Sequence, residues 1–155
     1  MTRHKIPVSV LVVIHTLDLE VLLLERADRA GFWQSVTGSQ DEEGEILRDT
    51  ATRELIEETG LVADDYVLTD WQKQNQYEIY PHWRHRYTPG VTRNTEHVFG
   101  LTLPKKKPIT ITPREHLQWV WLPWREAADK VFSWSNREAI LLLPQFVGGA
   151  NDSSQ

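Results

Sequence analysis

The chain has 155 residues, 40% of them hydrophobic, with a formal net charge of −5 at neutral pH and no cysteine. This length predicts one domain, placed at residues 1–150, followed by a tail at 151–155 that we expect to fray. The lack of cysteine excludes thiol catalysis, cysteine-bound zinc and iron–sulfur clusters, and the acidic balance argues against a nucleic-acid coat protein, which needs a basic surface.

The N-terminal part of the chain is predicted to form strands. The apolar run Val8–His15 is too brief for a membrane span of about 20 residues, and no small-residue cleavage site follows it. We interpret this run as a buried first strand and expect a cytoplasmic protein. Val21–Leu24 follows the turn-like segment Thr16–Leu19 and would form either a hairpin with the first strand or a neighbouring strand. Phe32–Thr37 is the predicted third strand, closed by Gly38.

The period of the apolar residues then changes from that of a strand to that of a helix. Leu47, Ala51 and Leu55 recur every four residues, which predicts a helix over Glu45–Thr59. Gly60 supplies the stop signal.

The second half of the chain is predicted to form further strands and a closing helix. The strand-like segments are Tyr66–Thr69, Tyr77–Tyr80, His97–Leu103 and Leu117–Leu122. Pro104 and Pro108 punctuate the connection between the last two. The sequence Ser135-Asn136-Arg137-Glu138 has the form of a capping box and predicts the start of the terminal helix. This order predicts an α/β fold in which a mixed sheet is covered by helices on both faces.

Three glutamates of the predicted central helix have a spacing that suggests a metal-binding role. Glu54, Glu57 and Glu58 are spaced i, i+3, i+4 and therefore share one helical face. Arg53 offsets only part of their repulsion, so the remaining carboxylates need a counter-charge. Magnesium satisfies them, because it takes oxygen ligands and completes its shell with water and substrate phosphates. For three glutamates alone, a solvated acidic surface is the alternative.

The wider segment from Gly38 onward resembles the Nudix box, in which a glycine and a glutamate precede an Arg-Glu-apolar-x-Glu-Glu-x-Gly-apolar core. The matching residues are Glu45, Arg53, Glu54, Leu55, Glu57, Glu58, Gly60 and Leu61. One residue more than in the family separates Gly38 from Glu45. This insertion lies in a surface loop, where it has a small entropic cost, and it leaves the spacing of the helical glutamates unchanged.

The resemblance to the Nudix superfamily implies an α/β/α sandwich that hydrolyses a diphosphate bond with the help of Mg²⁺, for which Mn²⁺ can substitute. The catalytic residues that it implies are Glu57, Glu58, Glu115 and Arg53. The metal ligands that it implies are Glu54, Glu58, Glu57 and Glu115. Glu115 is included because the family often adds an acid in the loop before a later strand, although an isolated loop glutamate is usually surface.

Segments outside the box resemble a bacterial branch of this family that acts in folate biosynthesis. That branch removes pyrophosphate from 7,8-dihydroneopterin triphosphate, leaves the monophosphate, and accepts dATP and other nucleoside triphosphates as side substrates. The segments are Phe32–Gly38, Arg84–Tyr87, Pro89–Glu96 and Ser133–Arg137. The substrate-binding residues that this resemblance implies are Lys5, Arg26, Thr37, Tyr77, Glu78, Ile79, Tyr80 and Ser133.

The chemistry of these side chains agrees in part with such a role. Lys5 and Arg26 can pair with phosphate oxygens. Tyr77 and Tyr80 can stack on a flat ring, and Glu78 between them can accept from ring N–H groups. The alternatives are ordinary sheet aromatics, a solvated lysine and, for Ser133, a turn residue beside a helix cap.

Two further expectations concern residues near the predicted cleft. Trp33 is the tryptophan that we expect to lie nearest to it, and the others are candidates for the core. Arg84, His85 and Arg86 suggest a phosphate site, but the alternation of a strand or loop prevents all three from facing one ligand.

Three other functions stay open from the sequence. The first is a housekeeping nucleoside triphosphate pyrophosphohydrolase of the same chemistry, which the metal site could not distinguish. A non-catalytic Nudix-fold binding module is the second, and an RNA-binding or 5′-end-processing domain is the third and weakest. The expected partner is a small-molecule triphosphate, either a pterin or a nucleotide, with no nucleic acid and no membrane. The sequence does not fix the oligomeric state or the phosphorus atom that water attacks.

Overall fold

The computed structural model describes residues 4–147, so the predicted tail and both ends of the predicted domain lie outside the described residues. The strands are β1 Val8–Thr16, β2 Glu20–Arg26, β3 Trp33–Gln34, β4 Val36–Ser39, β5 Val67–Glu78, β6 Arg93–Leu103 and β7 His116–Pro123. The α-helices are α1 Leu47–Thr59, α2 Trp124–Lys130, α3 Trp134–Leu141 and α4 Leu143–Val147. Two 3₁₀ turns, Ala63–Asp65 and Pro81–Arg86, complete the regular structure of this part of the chain.

The strands form one mixed sheet. Its main path runs β3-β2-β1-β6-β5, while β4 pairs with β1 and β7 pairs with β2. Strands β1 and β6 are parallel, and the other pairs are antiparallel. The first two strands form the hairpin, one of the two predicted arrangements, and both are slightly longer than expected.

Strand β1 is buried on both faces, which explains its unbroken apolar run. Val10 and Val12 pack in a cluster with Leu55 of α1. Val13 packs on the opposite face in a cluster with Ile140 of α3. Helices therefore cover both faces of the mixed sheet, and the predicted α/β/α sandwich is confirmed. Within residues 4–147 no helix is both long and apolar enough to cross a membrane.

Helix α1 follows the sequence prediction closely. It begins at Leu47 rather than at Glu45, and it ends at Gly60, whose φ of 77° is the left-handed conformation that favours glycine. The N–H of Gly60 donates to the carbonyl of Ile56 and closes the last turn. The acidic segment is therefore a regular helix, as the spacing of its apolar residues predicted.

Two strand predictions were wrong in detail. The third strand is interrupted at Ser35, whose N–H donates to Asn136 Oδ1 instead of to the sheet, and Gly38 lies inside β4 rather than ending the strand. The two strands predicted at 66–69 and 77–80 are one strand, β5. A bulge at Gln72, with a φ of 55°, shifts its register and hides the continuous alternation.

The C-terminal helices also differ from the prediction. Helix α2 has no capping signal and was not predicted. The helix expected from Ser135 begins at Trp134, and its cap is Ser133, whose Oγ accepts from the N–H of Asn136 at 3.2 Å. Ser135 and Asn136 are instead buried in the first turn.

Candidate active site

Residues from both halves of the chain line one cleft with two arms. The acidic arm has a volume of about 540 Å³ and includes Arg53, Glu54, Glu57, Glu58 and Glu115 in its wall. The narrower aromatic arm, of about 100 Å³, has walls formed by Tyr77, Ile79, Tyr80, Trp83 and Phe132. The arms meet at a basic junction, where both are lined by Lys5, Arg26, Gln34, Arg86 and the β4 segment 37–39.

Arg53 connects the loop before α1 to the helix. Its Nη2 donates to Glu45 Oε1 at 2.9 Å and to the carbonyl of Ser39 at 3.2 Å, and its Nη1 donates to Glu54 Oε2 at 2.9 Å. Hydrogen bonds from Arg53, the Asp41 N–H and the Thr50 hydroxyl lower the pKa of Glu45 to about 2. The loop therefore closes on the helix despite its extra residue, and Arg53 orients the Glu54 carboxylate.

Glu58, which is buried, and Glu54, which is partly buried, form a pair of neighbouring carboxyl groups in the acidic arm. Burial raises the pKa of both, and for Glu58 contact with Glu54 and the charges of Glu54 and Glu115 add to the effect. Glu58 Oε1 is buried and has no hydrogen-bond partner among the described residues. Two neighbouring carboxylates shielded from water need a positive charge between or beside them. A hard divalent cation fits this set of oxygen donors.

Gly38 allows the Glu54 carboxyl to approach strand β4. A Cβ atom at Gly38 would overlap the Cδ and Oε2 atoms of Glu54. The first glycine of the Nudix-like segment is therefore required by close packing against a proposed metal ligand, and not by an unusual backbone conformation.

The other predicted acids border the same arm from the solvent side. Glu57 is 51% exposed and lies 3.9 Å from Arg53 Nη1. Glu115 lies in the loop before β7, where its carbonyl accepts from the N–H of Ala27, and its charge acts on Glu58. Across residues 4–147, no three carboxyl or imidazole groups already converge on one point. The structure thus brings the four predicted ligands into one arm without preforming a coordination sphere.

His116 is a residue of this arm that the sequence did not indicate. Its Nε2 lies 3.6 Å from Glu58 Oε1, beyond hydrogen-bonding distance. Burial, followed by the charge of Arg26, lowers the pKa of His116 to about 4. The imidazole is therefore neutral near pH 7 and does not supply the charge that Glu58 needs. In the sequence, the only link between His116 and the predicted site is its position next to Glu115.

The basic junction is organised by Asp28, which the sequence also did not indicate. Arg26 donates to both Asp28 oxygens at 2.7 Å, and Arg86 donates to Oδ2 at 3.0 Å. The hydrogen bonds from Arg26 hold the pKa of Asp28 well below its usual range. Burial and the charges of Arg86 and Arg26 lower the pKa of Lys5. One carboxylate thus fixes two guanidinium groups where the arms meet.

Most of the predicted substrate contacts lie along the cleft. The predicted residues that line it are Lys5, Arg26, Thr37, Tyr77, Ile79, Tyr80 and Ser133. Glu78 does not line either arm, because successive residues of a strand point to opposite faces. Its carboxylate is 61% exposed, accepts from Arg84 at 3.0 Å and lies 3.6 Å from Arg93. The structure therefore has the Glu78 side chain outside the cleft and paired with arginines, and its contact with a substrate ring stays a prediction.

The basic segment of the 3₁₀ turn divides as the sequence suggested. Arg86 lines the cleft, whereas Arg84 donates to the carbonyl of Ile79 and to Glu78. The prediction that Trp33 is the tryptophan nearest to the cleft was wrong. Trp33 packs against the core under Lys130, and Trp83 lines the cleft instead.

The inner end of the aromatic arm is polar. Asn94 donates to Ser9 Oγ at 2.8 Å and to the Tyr77 hydroxyl at 3.0 Å, and its Oδ1 is buried without a partner in the described part of the chain. Glu96 lies two residues farther along β6 and is 4% exposed. Burial raises the pKa of Glu96 to about 7, although Ser135 and Asn75 lie close enough to favour its charged form. In the sequence, Glu96 was marked only by being a single acid just before an apolar strand segment.

The start of α3 is fixed against the cleft by a buried amide. Asn136 accepts from the Ser35 N–H at 2.8 Å and donates to Ser35 Oγ at 3.0 Å. These bonds hold the Ser133 cap at the rim of the aromatic arm. Ser133 is therefore both a helix cap and a residue of the cleft.

Comparison with known proteins identifies the family of the chain. The NUDIX domain model matches residues 5–143. Dihydroneopterin triphosphate diphosphatase of Escherichia coli strain K12 is 51% identical over 140 residues, which cover 88% of this chain and 91% of that protein. The Haemophilus influenzae protein of the same name is 40% identical over 143 residues, covering 90% of this chain and 89% of that protein.

A solved structure gives the same result. The E. coli dihydroneopterin triphosphate pyrophosphohydrolase superposes with a TM-score of 0.84 at 50% identity, covering 94% of this chain and 98% of that chain. The family match and the similarity in sequence and fold extend over almost all of the described residues. The chain therefore belongs to the Nudix family and is homologous to these pyrophosphohydrolases.

Proposed function

We propose that this chain hydrolyses 7,8-dihydroneopterin triphosphate to dihydroneopterin monophosphate and pyrophosphate. Nudix hydrolases act on small-molecule phosphate substrates and generally need a divalent cation. The cation proposed here is Mg²⁺, with Mn²⁺ able to substitute. The observation that carries the proposal is the continuous cleft, in which an aromatic arm opens through a basic junction onto clustered carboxylates. The single-domain boundary and the cytoplasmic location stay predictions of the sequence.

The shape of the cleft suits a flat ring joined to a triphosphate. The rings of Tyr80, Trp83 and Phe132 lie within 6 Å of one another and form a wall on which a bicyclic ring can stack. Arg26 and Arg86 have their guanidinium groups fixed by Asp28, so they can contact phosphate oxygens without losing much side-chain freedom.

The residues of the acidic arm fit a divalent cation. Glu54 and Glu58 would hold it, with Glu57 and Glu115 completing the protein ligands. When bound, such a cation would neutralise phosphate oxygens and the charge on the leaving group, and it would make a water molecule more acidic. Arg53 keeps Glu54 oriented through the hydrogen bond from its Nη1.

The proton of the attacking water passes to a carboxylate of the same arm. Glu57 and Glu115 are both exposed at its border, where water reaches them. A carboxylate in this position accepts the proton as a general base.

Hydrolysis of nucleoside triphosphates such as dATP is the second function that the structure favours. Stacking on Tyr80, Trp83 and Phe132 does not depend on the edge pattern of the ring, so a purine also fits against this wall. The acidic arm does not distinguish the two substrates. Selection between them must therefore come from polar groups that contact the ring.

The test is hydrolysis of dihydroneopterin triphosphate and dATP in parallel across a magnesium titration. We expect a higher kcat/KM for the pterin, pyrophosphate as the primary phosphate product, and loss of turnover in chelator. A higher kcat/KM for dATP, or orthophosphate as the primary product, would contradict the proposal.

A further inference from the structure

We propose that Glu96 selects the pterin ring by accepting hydrogen bonds from its 2-amino group and the adjacent ring N–H. This inference rests on the proposed function and names the residue that separates a pterin from adenine. Glu96 would act on specificity alone, because it lies in the aromatic arm and is not among the residues that line the acidic arm.

The inner end of the aromatic arm offers hydrogen-bond acceptors that the protein leaves unused. Glu96 Oε1 and Asn94 Oδ1 are both buried without a hydrogen-bond partner among the described residues. Asn75 and Ser135 lie beside the Glu96 carboxylate and favour its charged form, but Asn75 Nδ2 is itself without a partner, so Glu96 Oε1 stays unpaired. Asn94 and Glu96 are two residues apart on β6, so their side chains lie on the same face of the sheet. Both residues line the arm, together with the Tyr77 ring.

A ligand that carries N–H groups can supply the hydrogen-bond donors that these buried acceptors lack. A buried acceptor without a partner costs free energy that a ligand N–H can recover on binding. A carboxylate accepts two parallel hydrogen bonds from neighbouring N–H groups. The 2-amino-4-oxo edge of a pterin presents an amino group beside a ring N–H and matches this geometry.

Adenine presents a different pattern at the corresponding edge, where an amino donor lies beside a ring nitrogen that only accepts. A charged carboxylate can pair with the amino group but opposes the ring nitrogen. A glutamine, which carries one donor and one acceptor, matches adenine instead. Glu96 therefore favours the pterin, and its replacement by glutamine should favour adenine.

Burial of Glu96 has a cost that folding alone does not explain. Its raised pKa shows that the ligand-free pocket disfavours the charged group. The neighbouring Tyr77, Asn75 and Ser135 side chains carry no positive charge that would offset this cost. A ligand that brings hydrogen-bond donors to the carboxylate would offset this cost.

The experiment compares Glu96→Gln with Glu138→Gln, a matched change at an exposed glutamate of α3. For Glu96→Gln we expect kcat/KM for dihydroneopterin triphosphate to fall by about 100-fold, mainly through KM, since the amide keeps one acceptor, no longer carries the charge, and turns its NH2 group against the second N–H of the ring. Its kcat/KM for dATP should not fall, and a rise of up to about tenfold is expected because the amide matches the adenine edge. Glu138→Gln should leave both values unchanged.

The outcomes separate this inference from the proposed function. An unmodified protein that prefers the pterin, with the same preference in Glu96→Gln, overturns the role of Glu96 and leaves the proposed function standing. An equal loss for both substrates in Glu96→Gln also overturns it, because that result indicates a structural role. An unmodified protein that prefers dATP overturns the proposed function itself.

A second measurement uses only the unmodified protein, so it does not depend on the folding of a variant. An analogue of dihydroneopterin triphosphate that lacks the 2-amino group should lose about tenfold or more in kcat/KM, because one hydrogen bond to Glu96 is absent. Equal kcat/KM for the analogue and the parent compound would overturn the inference.

Discussion

The two arms of the cleft each contain a buried glutamate with an unpaired oxygen, and their surroundings give these residues different roles. Glu58 lies against a second carboxyl group, Glu54, so its unmet need is for positive charge. Glu96 lies among neutral polar groups, so its unmet need is for hydrogen-bond donors. The same residue type therefore suits a cation in one arm and a ring edge in the other.

The largest expected effect is on turnover, from Glu58→Gln. This change removes a charge from the proposed cation site while keeping side-chain volume and helix propensity. We expect kcat to fall by orders of magnitude with the fold retained, because the cation stabilises charge that develops in the transition state. Steady-state kinetics over a magnesium titration, with circular dichroism, checks this. A folded variant with near-normal kcat would show that the acidic arm is only solvated surface.

Glu115→Gln should have a smaller effect, a loss on the order of 10²-fold in kcat. Glu115 borders the acidic arm from an exposed loop, so the pair in α1 should still bind a cation without it. Kinetics combined with Mn²⁺ titration of the variant tests both parts. A loss as large as that of Glu58→Gln would place Glu115 among the essential ligands.

The environment of Glu96 also predicts a pH-dependent stability. Because folding raises the pKa of Glu96 from 4.5 to about 7, its contribution is fully present below pH 4.5 and is lost as the pH rises through 7. Glu96→Gln has no such titration. The variant should therefore gain stability over the unmodified protein between pH 5 and pH 8, approaching about 3 kcal/mol at the upper end.

Thermal or urea unfolding of both proteins at pH 5, 6.5 and 8 measures this difference. Glu138→Gln serves as the control, because its carboxyl group is exposed. A constant difference between Glu96→Gln and the unmodified protein at all three values would contradict the raised pKa.

The smallest expected effect is that of Glu78→Gln. The Glu78 carboxylate contacts Arg84 and Arg93 on the exposed side of β5, and such surface ion pairs contribute roughly 0–1 kcal/mol. We expect kcat/KM for the pterin to change by less than about threefold. A loss comparable with that of Glu96→Gln would restore Glu78 as the group that contacts the ring.

The acidic arm was largely predictable from sequence because its key residues lie close together in the chain. The spacing of Glu54, Glu57 and Glu58 and the stop at Gly60 are local signals, and the structure has them on one regular helix. The cap of the terminal helix was harder to predict, because Ser133 and Ser135 are both suitable cap residues. The packing around them buries Ser135 and leaves Ser133 as the cap.

The aromatic arm was less predictable because it is assembled from distant strands. Glu96 meets Tyr77 only through the pairing of β5 with β6, and the bulge at Gln72 concealed that pairing. Asp28 acquires its role only when Arg86 is brought beside it, 58 residues farther along the chain. Contacts of this kind depend on register and topology, which residue patterns within one segment do not specify.

The most direct test of the division between the arms is the ratio of kcat/KM for dihydroneopterin triphosphate to kcat/KM for dATP, measured for Glu58→Gln and Glu96→Gln under the same conditions. Glu58→Gln should lower both values and leave their ratio unchanged, because the cation site does not contact the ring. Glu96→Gln should lower the ratio by about 100-fold or more without a loss for dATP. A changed ratio in Glu58→Gln, or an unchanged ratio in Glu96→Gln, would contradict the assignment of catalysis to one arm and ring selection to the other.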